Sequence, residues 1–185
     1  MSKGSKRSSQ LGDHGAMLPF PVMLIRSVRP DEFAAAGELV AAVYSALIPD
    51  IGDYVDELRD VATRIASGAE VWVAELDGEI AATVTYVPRP GPFAEWSDPA
   101  AAGIRMLAVA PTFRRRGLGE ALVRACLDRA RADGQQRVYL HTTQWMTDAQ
   151  RLYLRMGFER APDLDWEPAP EIHLAAYRFV IARGF

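Results

Sequence analysis

The sequence predicts an α+β domain built on one mixed sheet with helices on its faces, and three observations carry that expectation. Asp77-Gly78 joins the β-rich runs EVWVAEL and EIAATVTYV, and an Asp-Gly turn between such runs signals an antiparallel hairpin. Further on, the apolar run GIRMLAV (103–109), a glycine turn, an amphipathic helix and the run RVYLHTT (137–143) form a strand–helix–strand crossover, which pairs its strands in parallel. A length of 185 residues, 49% hydrophobic and 24% charged, suffices for one soluble core.

The N-terminal segment 1–21 is polar, Gly/Ser-rich and basic, without the apolar centre of a signal peptide. It is expected to be a disordered extension, with Met17 and Met23 as candidate starts, ahead of a single domain over 22–185. LIRSV (24–28) reads as a first strand. Asp31 can cap a helix through about Ile48, with Phe33, Gly37, Val40, Tyr44 and Leu47 at helical spacing and Pro49 and Gly52 ending it. A second helix over 53–67 carries Val55, Leu58, Ala62 and Ile65 on one stripe and stops at Gly68. After the hairpin, PRPGPFAEWSDP (88–99) holds too much proline for regular structure and reads as a loop. The run 103–109 is apolar on both faces, as in a strand covered from both sides. The helix that follows reaches about Asp133, with Gly119, Leu122, Val123, Cys126, Leu127 and Ala130 on one stripe. Another helix spans about Asp148 to Met156, with Thr147 and Gln150 at capping-box spacing and Gly157 as its stop. A proline-broken loop (161–170) precedes a last strand, HLAAYRFVI (173–181).

Composition narrows the function. A formal net charge of -3 and a pI near 5.6 argue against a general nucleic-acid binder. No run of about 18 apolar residues exists to span a membrane. The single cysteine, Cys126, excludes an intrachain disulfide and fits a reducing, cytoplasmic setting; it shares the apolar stripe and reads as filler. His14, His141, His173 and Cys126 have no metal-ligand spacing, so no metal is expected, and no Gly-x-Ser-x-Gly elbow occurs.

The chemistry concentrates at RRRGLGEALV (114–123). A helix N-terminus carries partial positive charge and unsatisfied N–H groups, so acidic residues belong there. Arg114, Arg115 and Arg116 stand at the electrostatically wrong end unless an anion fills the space between them and the helix. Gly117 and Gly119, flanking Leu118, remove side chains where the backbone turns and an incoming group comes close. The N–H groups of about residues 115–119 would converge on one point, a fit for pyrophosphate. The plainer reading is an ordinary helix start with solvated arginines. No Gly-Lys-Ser/Thr occurs, and Leu122 stands where a dinucleotide-binding fingerprint needs its third glycine, so both nucleotide readings drop.

RRRGLG, placed just after IRMLAVAP, resembles the [Q/R]-x-x-G-x-[G/A] signature of the GCN5-related N-acetyltransferases. About forty residues on, AQRLYLRMGF (149–158) resembles that family's A-x-x-L-Y-x-x-x-G-F helix, and the two motifs with their element order cover 24–181. The resemblance implies a central, mostly antiparallel sheet with a splayed parallel strand pair, and transfer of an acetyl group from acetyl-CoA to a primary amine in a ternary complex. It assigns the coenzyme A pyrophosphate to Arg114, Arg115, Arg116, Gly117, Leu118 and Gly119. It assigns the pantetheine arm to the backbone of Leu107, Ala108 and Val109, with the Val109 N–H near the oxyanion. Tyr153 matches the family's general acid: a leaving thiolate of pKa about 8.5 takes a proton from a phenol of about 10 when geometry assists. Spacing alone also allows Tyr153 a packing role, beside Ala149, Leu152 and Met156.

Two departures stand out. Met146 occupies the place, seven residues before the tyrosine, where the family often has asparagine. Where many relatives carry a glutamate at the start of the signature's strand, this chain reads AAAG, ending in Gly103; a base would come from Glu95, from Asp98 or from ordered water. Acidic residues Asp50, Asp53, Asp56, Glu57 and Asp60 either attract a cationic amine or complement their own helix dipole. Tyr44, Tyr54, Phe93, Trp96, Trp145 and Trp166 are candidate walls of the acceptor cleft. The acceptor itself, a small-molecule or peptide amine, is not legible, and a homodimer stays open. The alternative function is an acyl-CoA-binding sensor or partner-binding module that kept the fold without the chemistry.

Overall fold

A computed structural model describes residues 22–182; the expected disordered extension and the candidate start Met17 lie outside the described residues. The chain begins with β1 (Met23–Ser27) and a single 3-10 turn (Pro30–Glu32) that leads into α1 (Phe33–Ser45). Helix α1 starts two residues after Asp31 because Arg29, not Asp31, caps the turn, and Glu32 closes it through the Arg29 N–H at 2.9 Å. The expected helix over 53–67 is two short ones, α2 (Tyr54–Arg59) and α3 (Val61–Ala66). Asp60 leaves helical geometry between them and accepts the Thr63 N–H at 2.9 Å, so it ends one helix and caps the next.

Hairpin β2 (Glu70–Leu76) and β3 (Glu79–Val87) turn at Asp77-Gly78 as the dipeptide predicts. Strand β4 (Ala101–Val109) begins two residues earlier than expected, and α4 (Leu118–Ala132), β5 (Arg137–Thr143) and α5 (Thr147–Arg155) follow. Thr147 is the first residue of α5 and Met146 its cap; Gln150 donates to the Thr143 carbonyl at 2.8 Å, so the expected capping box does not form. Two short strands that periodicity missed, β6 (Glu159–Arg160) and β7 (Trp166–Ala169), flank the proline loop before β8 (Ile172–Val180).

The strands form one sheet in the order β1-β2-β3-β4-β5-β8-β6, with β7 also on β8. Every pairing is antiparallel except β4 with β5. Helices α1, α2 and α3 cover one face and α4 and α5 the other. Of the stripe expected on α4, Leu122, Val123, Cys126, Leu127 and Ala130 are each under 5% exposed and Gly119 is half-buried; Leu118, outside that stripe, is buried with them.

Two features of β4 open the sheet. Its parallel pairing with β5 ends at Ile104↔Leu140, although both strands run on, to Val109 and Thr143. On its other side Thr85 pairs with Arg105 and Thr83 with Ala108, so Val84 faces two residues, Met106 and Leu107. That extra residue is a β-bulge, and Met106 adopts φ 55 to accommodate it. Such a backbone costs about 1–3 kcal/mol for a non-glycine residue and bends the strand away from β5.

Candidate active site

Between the diverging strands, α1 and α5 lies a cleft of about 850 Å³. Leu107, Val109, Arg114, Arg115, Gly117, Leu118 and Gly119 line one wall; Val43, Tyr44 and Leu47 of α1 and the 145–155 segment line the others. Of the three residues singled out on β4, Leu107 and Val109 line the cleft, while Ala108 packs its methyl into the core under α1 and α2 and is not part of the lining. Of the three arginines, Arg114 and Arg115 reach the cleft, while Arg116 stacks its guanidinium 5.4 Å from the centre of the Phe113 ring.

The head of the cleft brings two arginines to an uncapped helix start. Helix α4 starts on Gly117 at φ 80 with no side-chain cap, and its first intrahelical bond runs from the Ala121 N–H to the Gly117 carbonyl at 2.9 Å. The N–H groups of Leu118, Gly119 and Glu120 come before that bond and point out of the helix without partners inside it. Arg115 is also left-handed, at φ 60, so the turn holds two αL residues in three and its N–H groups converge. An arginine held in that conformation costs free energy, which a bound oxyanion offsets.

Tyr153 sits one layer behind the cleft wall, 5% exposed, with ring contacts to Phe158 at 5.7 Å and Tyr177 at 6.1 Å. Burial, then the neighbouring Cys126 and Tyr177, push its phenol well above the ordinary value, so it stays protonated. The contacts therefore show Tyr153 in the packing role that its spacing allowed, with a phenol that keeps its proton. Cys126 itself is fully buried in the core and its thiol is pushed up by burial.

At the other end, where β4 and β5 part, the structure assembles a polar group that spacing did not reveal. Arg105 and His141 are the first unpaired residues beyond Ile104↔Leu140, one on each strand. Glu95, from the 88–100 loop, bridges them: its carboxylate lies 3.1 Å from Arg105 Nη2 and 2.8 Å from His141 Nδ1. Arg105 also faces Glu57 of α2 at 3.7 Å, donates to the Tyr54 hydroxyl at 3.4 Å and lies over the Phe93 ring. Burial raises the Tyr54 phenol to about 12 despite Arg105, and lifts Tyr44 well above its ordinary value.

The remaining sequence candidates separate cleanly. Asp98 accepts from Arg137 at 2.5 Å and from the Tyr139 hydroxyl at 3.3 Å, anchoring the loop. Trp96 is 8% exposed and packs on Gly103, where a Cβ would lie 1.9 Å from Cη2 of the indole. The place of the missing strand carboxylate is thus filled by tryptophan. Tyr44 and Trp145 line the cleft, Trp166 is 43% exposed on β7, and Met146 joins the wall beside Trp145. Asp50, Asp53 and Asp56 face solvent, so of the acidic run only Glu57 reaches the site. Among the described residues no group of three His, Cys, Asp or Glu is placed to hold a metal, and no helix is long and apolar enough to cross a membrane.

Comparison with known proteins fits this geometry. A family model described as the acetyltransferase (GNAT) family matches residues 37–158. The N-acetyltransferase YjgM of Escherichia coli is 30% identical over 105 residues, 57% of this chain and 59% of that protein. The chain spans between 33% and 59% of the length of the curated relatives it matches. Among solved structures, a Staphylococcus aureus acetyltransferase of the same family superposes with a TM-score of 0.69 at 16% identity, over 85% of this chain and 98% of that one. The yncA protein of Salmonella typhimurium, solved with its cofactor acetyl-CoA, gives 0.64 at 20% identity, over 88% and 95%. At such identities the likeness is one of fold.

Proposed function

Because the chain belongs to the acetyltransferase (GNAT) family, we propose that it moves an acetyl group from acetyl-CoA to the nitrogen of an amine acceptor, with both bound at once. One observation carries the reading: the cleft runs along the open edge of β4, from the uncapped, arginine-flanked start of α4 to Val109 and Leu107, toward the fork where β4 and β5 part. The cleft fits acetyl-CoA in three respects. Its head pairs Arg114 and Arg115 with unpartnered helix N–H groups, which suits a pyrophosphate. Its floor is strand backbone unpaired on the side facing β5, which suits the amides of a pantetheine arm. On the β5 side, the buried hydroxyls of Thr142 and Thr143, on opposite faces of the strand, have no partner among the described residues, so the splay leaves a polar group for a ligand to satisfy.

When bound, acetyl-CoA supplies a thioester carbonyl for attack and a thiolate as leaving group. Arg114 and Arg115 hold the diphosphate charge, with Gly117, Leu118 and Gly119 presenting backbone N–H groups; Arg116, on Phe113, adds field without contact. Leu107, Ala108 and Val109 hold the arm through their main chain, and the Val109 N–H is the oxyanion donor. Tyr153 donates its proton to the sulfur. Its raised pKa keeps the proton available at every working pH, and a thiolate in the same dry surroundings is itself made more basic. Residues 22–182 act as one acetyltransferase domain in this reading.

The test is thiol release from acetyl-CoA across a panel of amines, with calorimetric binding of acetyl-CoA measured on the same sample. Saturable binding with acceptor-dependent thiol release supports transfer. Binding without release from any amine points instead to an acyl-CoA sensor.

A further inference from the structure

Gly103 and Trp96 show why the base has to come from elsewhere in this chain. A carboxylate side chain cannot occupy residue 103, because its Cβ alone would overlap the indole, with three ring atoms within 2.8 Å. The residue that precedes this tryptophan is Glu95. Filling the space at Gly103 with the indole and delivering a carboxylate to the fork are one act of the same loop, fixed by Trp96 Nε1–H on the Ala101 carbonyl at 3.3 Å and by the Asp98 pair with Arg137.

The hydrogen bonds at the fork define where a proton belongs. His141 Nε2 lies 3.0 Å from the Leu164 carbonyl, an acceptor only, so Nε2 carries hydrogen. Nδ1 then meets Glu95 Oε2 at 2.8 Å, and it has no partner there unless a proton lies on that line. Exactly one place for a proton is therefore built between a loop carboxylate and a β5 imidazole, at the end of the open edge where the acyl group of an acyl-CoA would stop. The His141 side chain is 2% exposed and that of Glu95 13%, so Glu95 is the member a ligand can reach.

We infer that Glu95 takes the proton from the acceptor's ammonium, with His141 and Arg105 as its positioning residues; this rests on the acetyltransferase reading above. In balance, one N–H bond of the acceptor ammonium breaks and its proton moves to the Glu95 carboxylate, which becomes the neutral carboxyl. The freed nitrogen pair forms the C–N bond, the C–S bond breaks, and the thiolate leaves with the Tyr153 proton. The groups facing Glu95 are Arg105 of β4, His141 of β5, Tyr54 and Glu57 of α2 and Tyr44 of α1, with Arg64 of α3 beyond Arg105 and Asp165 beyond His141. Burial alone would raise the Glu95 carboxyl; His141 and Arg105 outweigh it and hold the carboxyl below its ordinary range, ionised and ready to accept.

The experiment compares wild type with Glu95→Gln on two acceptors: an alkylamine, protonated at the assay pH, and an alkoxyamine, already neutral. The variant should lose about 100-fold in kcat/KM on the alkylamine, within the range general bases contribute. On the alkoxyamine it should lose little, and acetyl-CoA affinity by calorimetry should not change. A variant that merely misfolds loses both acceptors and the affinity together. Independently of turnover, a proton NMR spectrum of the ligand-free protein should show a downfield imidazole N–H resonance that disappears in both Glu95→Gln and His141→Gln. Equal losses on both acceptors, or an unimpaired variant beside an active wild type, overturn the assignment while leaving the acetyltransferase reading intact. A wild type that transfers to no amine overturns that reading.

Discussion

Replacing Gly103 with alanine tests the packing on which the fork depends. The added methyl would stand 1.9, 2.3 and 2.8 Å from Cη2, Cζ3 and Cζ2 of Trp96. Non-bonded carbons rest at about 3.5–4.0 Å, so the indole has to move by about 2 Å or leave. Gly103 cannot yield, because it is paired on both sides, with Val87 and with Tyr139. Expelling an indole that buries about 150–250 Å² forfeits about 4–6 kcal/mol at about 25 cal/mol per Å². Shifting it within an overpacked core costs about 1–3 kcal/mol and is the cheaper response. With a domain of this size losing roughly 2–4 °C per kcal/mol, the melting temperature should fall by roughly 2–12 °C in scanning calorimetry. Adding Trp96→Leu should return much of the loss. Because Glu95 precedes the displaced indole, kcat/KM on alkylamines should fall as well. A Gly103→Ala protein that melts within about 2 °C of wild type refutes the claim that Trp96 seals this position.

Three further outcomes are expected. Tyr153→Phe should reduce kcat by about 100-fold and leave acetyl-CoA affinity unchanged by calorimetry; wild-type turnover would return Tyr153 to a packing role. Arg114→Ala and Arg115→Ala should each raise the KM for acetyl-CoA about tenfold or more, the worth of one charge-assisted bond, while Arg116→Ala, stacked on Phe113, should change it little. The third concerns stability against pH. Glu32 is hydrogen-bonded to Arg26 at 2.7 and 2.8 Å; that contact and the Arg29 N–H prevail over burial and lower its carboxyl from 4.5 to about 2. A carboxyl depressed on folding contributes stability that is complete above its unfolded value and lost as pH falls toward the folded one. Urea midpoints should therefore decline between about pH 4.5 and 2, by an amount on the order of 2–3 kcal/mol that Glu32→Gln removes; parallel declines in both proteins would contradict it.

Local signals carried the sequence reading as far as local physics reaches. Asp77-Gly78 sets its hairpin by turn chemistry alone, and the α4 stripe is buried as its 3.6-residue period requires. The start of α4 stood out as a candidate anion site because three arginines there contradict the helix dipole. The break at Asp60 was not, since Val55, Leu58, Ala62 and Ile65 keep one stripe across it; only the cap to Thr63 reveals it. Strand β6 has two residues and β7 contains Pro168, so neither shows a period. At the fork, Glu95 was visible only as one of two loop carboxylates. Its choice over Asp98 depends on contacts between a loop, β4 and β5, far apart in sequence. A signal existed in Gly103, since a glycine inside an apolar strand marks a close approach, here by Trp96.

The central claim is that acetyl-CoA lies along the open edge of β4 with its diphosphate on the start of α4. Amide hydrogen exchange with and without acetyl-CoA measures this directly. Exchange should slow at Leu118, Gly119 and Glu120 and along Leu107 to Val109, and stay unchanged at β1 and β2, remote from the cleft. Binding that leaves those amides unprotected, or protects a different surface, would contradict the account.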